Sequence, residues 1–352
     1  MTFHERKSYF AELGKFMGKF QVFTEEIPEL SSEKEEFFKR MNQKINSAIH
    51  HNGWFTRENV VFALQQWSQA LAPRNLEKWL SRYTINTRNP KTVAVIMAGN
   101  VPLVGFHDFL SVLMSGNKIL AKQSGNDKQL LPLLAEYLVF LNPEFGELIQ
   151  FTDDKLQNFD AVIATGSNNT SRYFEYYFKD KPGIIRKNRN SVAILSGGER
   201  MEQLQELSED IFRYYGLGCR NVSKIYVPEN YDFDLFFQAM YRWKDLINHA
   251  KYANNYDYNK AVYLMSEFKL LDNGFLILKE DESFGSPIAT LFYEKYTSEE
   301  ELQQKLQQEK DKLQCVVASG FTENEVKFGK TQDPQLWDYA DNVDTMDFLL
   351  NL

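Results

Sequence analysis

The 352-residue sequence predicts an α/β protein built on a parallel sheet. Two observations predict it. Between residues 92 and 198, short apolar runs closed by glycine turns alternate with helical stretches, at the pitch of strand–helix–strand units with right-handed crossovers. After Gly198 the alternation restarts, which points to a second domain. The boundary is expected at Gly197-Gly198: residues 1–197 form a helical segment plus the first sheet domain, and residues 198–352 a second domain with a C-terminal tail.

In chain order, residues 1 to about 88 read as mostly helical. Ser32 and Glu35 have capping-box spacing ahead of Glu36-Phe37-Phe38, apolar positions continue through Met41, Ile45 and Ile49, and Asn52-Gly53 ends that helix. A second helix is expected after Thr56, with Val60, Leu64 and Trp67 on one face. VAVIMAG, led by Thr92, is a buried parallel strand. A helix from about Pro102 to Met114, the strand KILAKQ, a helix from Lys128 to Phe140, the strand DAVIATG, a helix over 170–179 and the strand SVAILSGG follow. Beyond them come a helix over 200–215, Gly216-Leu217-Gly218 before Cys219, the strand SKIYVP, a strand carrying Ile288 to Phe292, a charged helix over 298–313 and the strand QCVVAS.

Composition narrows the function. Apolar residues make up 43 % and aromatic residues 14 %, enough for a sizeable core, so a disordered chain is excluded. A net charge of −8 gives no general attraction for nucleic acid, and an anionic ligand would need a local basic group. Cys219 and Cys315 form no disulfide framework, and no Cys/His cluster has metal-binding spacing. A polar N-terminus and the absence of any apolar run near ~18 residues predict no membrane span and a cytoplasmic location.

Open sheets of this kind bind ligands beyond the carboxyl ends of their strands, and several polar residues fall there. Asn100 follows the first strand, either as a turn residue or as a donor to a developing oxyanion. Lys122 ends the second, as a solvated lysine or a contact to ribose or phosphate oxygens. Gly166 and Ser167 close the third and open a helix, where free N–H groups favour a phosphate, although no GxGxxG is present. Cys219 sits in a turn just after two glycines, as a reactive thiol or an idle one; Cys315, in an alternating apolar strand, reads as core. His107 reads as a packing residue.

In order, NVPL, SGNKILAKQS, ATGS, YYGLGCRNVSKIYVP and ESFGSP resemble the aldehyde dehydrogenase superfamily. More closely, residues 92 to 350 resemble its LuxC-like acyl-CoA reductase family, typified by the fatty acid reductase of bacterial luminescence. The resemblance implies a two-lobed fold, a Rossmann-type cofactor domain plus an α/β catalytic domain. It implies Cys219 as nucleophile, Asn100 in the oxyanion hole, Lys122 on the adenosine ribose, Gly166 and Ser167 over the cofactor phosphates, and Glu282 on the nicotinamide ribose. A homodimer or larger homo-oligomer, and an acyl-donor partner protein, belong to the same expectation.

Two departures refine it. Where hydrolytic relatives carry a glutamate base, the matching stretch reads Ile185-Arg186-Lys187-Asn188-Arg189-Asn190-Ser191, with Arg186 near the glutamate position, so water activation on an acyl-enzyme is not expected. Reduction of an acyl-CoA or another acyl thioester to an aldehyde follows. Three residues after Lys122, where NAD-specific members carry a carboxylate, stands Gly125. A carboxylate about 4 Å from a 2′-phosphate would repel it by roughly 4 kcal/mol at an effective dielectric near 20. NADPH is therefore expected as cofactor, with NADH as the second choice. The competing expectations are an acyltransferase or thioesterase using Cys219 without reduction, a non-catalytic member of the superfamily, and a semialdehyde or phosphate-ester reductase. The resemblance also sets a puzzle: a thiol just past a helix C-terminus faces a dipole that disfavours the thiolate, with Arg220 or the cofactor's positive ring as the available offsets.

Overall fold

A computed structural model describes residues 1–24, 29–85 and 89–352. The helical reading of 25–28 and 86–88 lies outside the described residues. The chain divides into two compact units, Met1–Lys187 with Gln335–Leu352, and Asn188–Pro334.

The first unit opens with helices α1 (Phe3–Met17), α2 (Ser32–His51), α3 (Arg57–Ala70) and α4 (Pro73–Leu80). The expected capping box at Ser32 does not form: Ser31 is the cap residue, without a side-chain bond, and Glu35 pairs with Lys39 instead. Thr56 caps α3 as expected, accepting from the Asn59 N–H. Then come β1 (Thr92–Ile96), α5 (Phe106–Ser115), β2 (Lys118–Lys122), α6 (Leu130–Leu141), β3 (Ile149–Phe151), β4 (Ala161–Thr165), α7 (Asn168–Tyr177) and β5 (Gly183–Arg186). The five strands form one parallel sheet in the order β3-β2-β1-β4-β5. This is the dinucleotide-fold order, with its reversal point between β1 and β4. Its core strands are covered on both faces. Val93 and Val95 join the helical core under α5 and α6, while Ala94 and Ala164 pack beneath Phe174 and Phe178 of the α7 side. The N-terminal helices extend that core through ring contacts such as Phe16 stacked on Tyr137, with centroids 4.2 Å apart.

The second unit contains β6 (Asn190–Ile194), α8 (Met201–Phe212), β7 (Val222–Pro228), α9 (Asp234–Met240), α10 (Ala250–Met265), β8 (Leu270–Asp272), β9 (Ile277–Glu280), β10 (Thr290–Tyr296), α11 (Glu299–Gln308) and β11 (Leu313–Val317). Its sheet runs β11-β6-β7-β10-β9-β8, parallel except for the β8–β9 pair. Alternation decides the faces. Ala193, Ile225 and Val227 point into the core with α8, and Val192, Ile194 and Tyr226 into the one with Leu302 and Leu306 of α11.

The structure moves the domain boundary. The run SVAILSGG, expected as the fourth strand of the first sheet, begins in β6 and pairs with β7 and β11 in the second. The fifth strand of the first sheet is β5, and the division falls after Lys187 rather than after Gly197. Nor does the C-terminal tail stay with the second unit. Residues 335–352 return to the first through α12 (Thr345–Leu350), where the Asn117 side chain donates to Leu349 O at 3.0 Å and Trp79 Nε1 to Tyr339 Oη at 2.6 Å.

Candidate active site

In the first unit, the carboxyl ends of β1, β2 and β4 carry the predicted catalytic residue Asn100 and the predicted cofactor residues Lys122, Gly166 and Ser167. Register makes them neighbours, since Ile96 at the end of β1 stands opposite Lys122 on one side and Ala164 on the other. Asn100 is exposed in the loop that follows β1. That loop contradicts the expected helix start at Pro102. Leu103 takes a left-handed φ of 58° and its N–H donates to Asp127 Oδ2 at 3.0 Å, so α5 begins only at Phe106. Asp127 is buried, and desolvation pushes its carboxyl up to about 6, against the opposing pull of the Leu103 N–H. Two further contacts fix the loop: Asn52 Nδ2 donates to Gly99 O at 3.3 Å, and a Cβ on Gly99 would stand 2.6 Å from the Ser124 side chain.

Lys122 is half-buried and donates through Nζ to Asp154 O at 2.8 Å. At Gly125 a Cβ would meet nothing within 4 Å. Ser167 caps α7, accepting from the Thr170 N–H at 3.2 Å. At Gly166 a Cβ would lie 3.0 Å from the Phe174 side chain and 3.1 Å from that of Thr170, a tight fit that these side chains would have to relieve. Lys122 and the Ser167-capped start of α7 thus stand at the ends of strands that both pair with β1.

Arg186 is buried, bidentate to Asp108 (Nη1–Oδ2 2.5 Å, Nη2–Oδ1 2.8 Å), and its Nη2 donates to Thr345 Oγ1 at 3.1 Å. Arg186 is thus part of a structural ion pair that fastens β5 to α5 and α12. His107 packs as expected: it is half-buried, its Nε2 is 2.9 Å from Leu336 O, and desolvation lowers its pKa.

In the second unit, Cys219 is exposed and Cys315 buried, and neither forms a disulfide. The chain reaches Cys219 by an unusual route. The expected helix over 200–215 stops at Phe212, and Tyr214, Tyr215 and Gly216 then take φ of 55°, 60° and 76°. The side chain of buried Asn221 holds the resulting turn. Its Oδ1 accepts from Gly218 N at 2.8 Å, and its Nδ2 donates to Asp210 O at 3.0 Å and Arg213 O at 2.8 Å. The carbonyl end of α8, which would disfavour a thiolate nearby, is therefore hydrogen-bonded rather than open. Ser191 Oγ donates to Cys219 O at 2.9 Å, and Arg220 Nε to Thr331 O at 2.5 Å, so Arg220 serves the turn. Asp210, buried, accepts from Thr331 and Gly329 N–H groups, and desolvation pushes its carboxyl up to about 6.

Glu282 is exposed on the segment between β9 and β10. This segment crosses the sheet face and is tied to the strand that leaves the Cys219 turn: Lys224 Nζ donates to Glu282 O at 2.8 Å, and Ser223 Oγ to Phe284 O at 2.7 Å. Sequence reasoning missed Lys224, Ser191, Asn221 and Asp127. Asn221, two residues after Cys219 in a glycine-rich turn, is the one with a readable signal, since asparagine favours local bonds to the main chain. Among the described residues no group of three or more His, Cys, Asp or Glu side chains could hold a metal ion, and no helix is long and apolar enough to cross a membrane.

A family model described as acyl-CoA reductase (LuxC) matches residues 46–241. A long-chain acyl-protein thioester reductase of Aliivibrio fischeri is 24 % identical over 229 residues, covering 59 % of this chain and 47 % of that protein. The chain thus spans about half the length of this curated relative. Among solved structures, the benzaldehyde dehydrogenase of Corynebacterium glutamicum superposes with a TM-score of 0.61 at 11 % identity, over 90 % of this chain and 76 % of that one. Aldehyde dehydrogenase 21 of Physcomitrella patens gives 0.60 at 14 % identity, over 90 % and 73 %. An indole-3-acetaldehyde dehydrogenase of P. syringae, in complex with NAD+ and IAA, gives 0.57 at 12 % identity, over 90 % and 72 %. The fold is aldehyde-dehydrogenase-like, as the resemblance implied. With its family model matched over more than half of its length, the chain belongs to the LuxC acyl-CoA reductase family.

Proposed function

We propose that this protein reduces an acyl thioester to an aldehyde through a covalent intermediate on Cys219, with NADPH as the preferred nicotinamide cofactor. The observation that carries the proposal is the exposed Cys219 in a turn braced by Asn221 and Ser191, one strand away from the anchored Glu282 segment.

The Cys219 thiolate adds to the thioester carbonyl, the bond to the departing thiol breaks, and the thiol leaves with a proton. The acyl group stays on sulfur. The Asn100 carboxamide and the Cys219 N–H are the donors assigned to the oxyanion; removing one such donor typically costs ~3–4 kcal/mol in the transition state. Gly166, Ser167 and Lys122 are assigned to the cofactor's phosphate and adenosine side, and Glu282 to the nicotinamide ribose. When bound, the reduced nicotinamide supplies the hydride that turns the acyl-cysteine into an aldehyde and regenerates the thiolate. Engagement of Arg186 by Asp108 supports reduction over hydrolysis, because no base stands at that position to prime water. The lack of a carboxylate at Gly125 supports NADPH over NADH.

The acyl carrier is coenzyme A or a protein-borne thiol, the latter favoured by the acyl-protein reductase among the relatives. A cytoplasmic homo-oligomer with an acyl-donor protein as partner completes the reading. NADPH consumption with a panel of acyl-CoA esters tests it. The expected result is one NADPH oxidised per thiol released, lost in Cys219→Ala. Thiol release without NADPH oxidation would make the protein a thioesterase or acyltransferase.

A further inference from the structure

Lys224 is a lysine with no exposed surface, on the second unit's sheet. Burying an ammonium is unfavourable unless its hydrogen bonds are specific, and an apolar residue at a strand centre would serve packing better. The bonds here are specific. Nζ donates to Glu282 O at 2.8 Å and to Glu294 Oε2 at 2.6 Å, and it stands 5.4 Å from the centroid of the Phe284 ring. Glu294 is itself held by Lys305, at 2.5 Å, so the carboxylate that steadies Lys224 is fixed from both sides. Burial lowers the Lys224 pKa, and the Glu294 contacts oppose that shift.

The strand position gives these bonds their meaning. Ser223 and Lys224 are consecutive on β7, and both hold the segment that carries Glu282 and Phe284: Ser223 through Phe284 O at 2.7 Å, Lys224 through Glu282 O. The same strand leaves the turn of Cys219, whose carbonyl accepts from Ser191 on neighbouring β6. Close packing reinforces the arrangement, since a Cβ on Gly285 would lie 2.9 Å from Asn190 Oδ1.

We propose that Lys224 is a positioning residue for cofactor binding: its buried ammonium fixes the main chain of Glu282, next to the Ser223 bond to Phe284, against the strand that follows the nucleophile's turn. The inference rests on the assignment of Glu282 to the nicotinamide ribose. Lys224 touches neither substrate nor cofactor and acts only through the segment it holds. Its loss therefore weakens NADPH more than it slows a saturated turnover.

The test uses the full chain and four variants, the fourth being Lys224→Met in a Glu282→Gln background. Glu282→Gln examines the assignment of Glu282. Lys224→Met removes the ammonium. Lys224→Met combined with Glu294→Gln removes the ammonium together with the charge of its carboxylate partner, which keeps the local charge in balance. Three readouts are taken: hydrogen–deuterium exchange at amides 281–286 without cofactor, the NADPH dissociation constant from quenching of intrinsic fluorescence, and steady-state KM and kcat for NADPH. The expected result is faster exchange at 281–286 in both Lys224 variants, with NADPH binding about tenfold weaker, as for loss of one charge-assisted hydrogen bond. KM for NADPH rises in parallel, kcat stays within about twofold, and the Lys224 effect on binding vanishes in a Glu282→Gln background. Unchanged exchange and NADPH affinity in the Lys224→Met/Glu294→Gln protein, with Glu282→Gln still impaired, would overturn the role of Lys224 and leave Glu282 standing. A Glu282→Gln protein that binds NADPH normally would remove the assignment of Glu282 and this inference with it.

Discussion

Asn221 and Gly218 close a ring around Cys219. The Gly218 N–H donates to Asn221 Oδ1 at 2.8 Å, and the Asn221 N–H to Gly218 O at 3.0 Å, so the cysteine sits in a turn bonded at both ends. Asn221→Ala removes the side-chain half of the ring and strands the carbonyls of Asp210 and Arg213. A loss of about 2–4 kcal/mol is expected for one buried amide making several bonds. Urea denaturation measures it, and iodoacetamide labelling of Cys219 in the native protein is expected to change rate.

Asp127 should leave a pH signature. Burial pushes its carboxyl from the ordinary 3.8 up to about 6, so the folded state holds this proton more tightly than the unfolded chain. The contribution therefore favours folding below pH ~4 and is lost as pH rises through about 6, a change of up to ~3 kcal/mol. Asp127→Asn keeps an acceptor for the Leu103 N–H and cannot titrate. Denaturation from pH 4 to 7 is expected to show a smaller decline in the variant than in the native protein. Asp210 titrates in the same direction in both proteins and cancels from the comparison.

Arg186 is expected to matter for stability and not for chemistry. Arg186→Ala strands the buried Asp108 carboxylate and should cost about 3–5 kcal/mol, whereas Arg186→Met with Asp108→Leu should cost much less. Arg186→Glu, which restores the residue type of the hydrolytic relatives, is expected to destabilise the protein by facing Asp108 and to yield no free acid. Thermal melts and product analysis by mass spectrometry check both statements.

Gly125→Asp adds a carboxylate where a Cβ meets nothing within 4 Å, so the fold should accept it. If this loop faces the 2′-phosphate, NADPH affinity falls about tenfold or more, with solvent screening keeping the loss below the ~4 kcal/mol of a shielded pair. NADH affinity should change little. Parallel titration with both dinucleotides measures the ratio.

Much of this was legible because strand ends and glycine turns are local signals. Thr92–Ile96, Lys118–Lys122 and Ala161–Thr165 lie where apolar runs and closing turns placed them, and with them the loops of Asn100, Lys122 and Gly166-Ser167. Errors came where tertiary contacts override local preference. Pro102 looked like a helix start, but the bond from Leu103 to Asp127, 24 residues away, holds the chain out of a helix. Asn190–Ile194 is as apolar as a first-sheet strand, and only its pairing with Val222–Pro228 and Leu313–Val317 assigns it to the second. Lys224 gave no signal, because a lysine in a strand reads as exposed until the Glu282 segment is seen to cover it.

The central claim is a covalent acyl group on Cys219, and intact-protein and peptide mass spectrometry after incubation with an acyl-CoA, without nicotinamide, tests it most directly. The account predicts one acyl group per chain, on the Cys219 peptide, absent in Cys219→Ala and lost on adding NADPH as aldehyde appears. An unmodified Cys219 in a protein that still oxidises NADPH with the same acyl-CoA would contradict it.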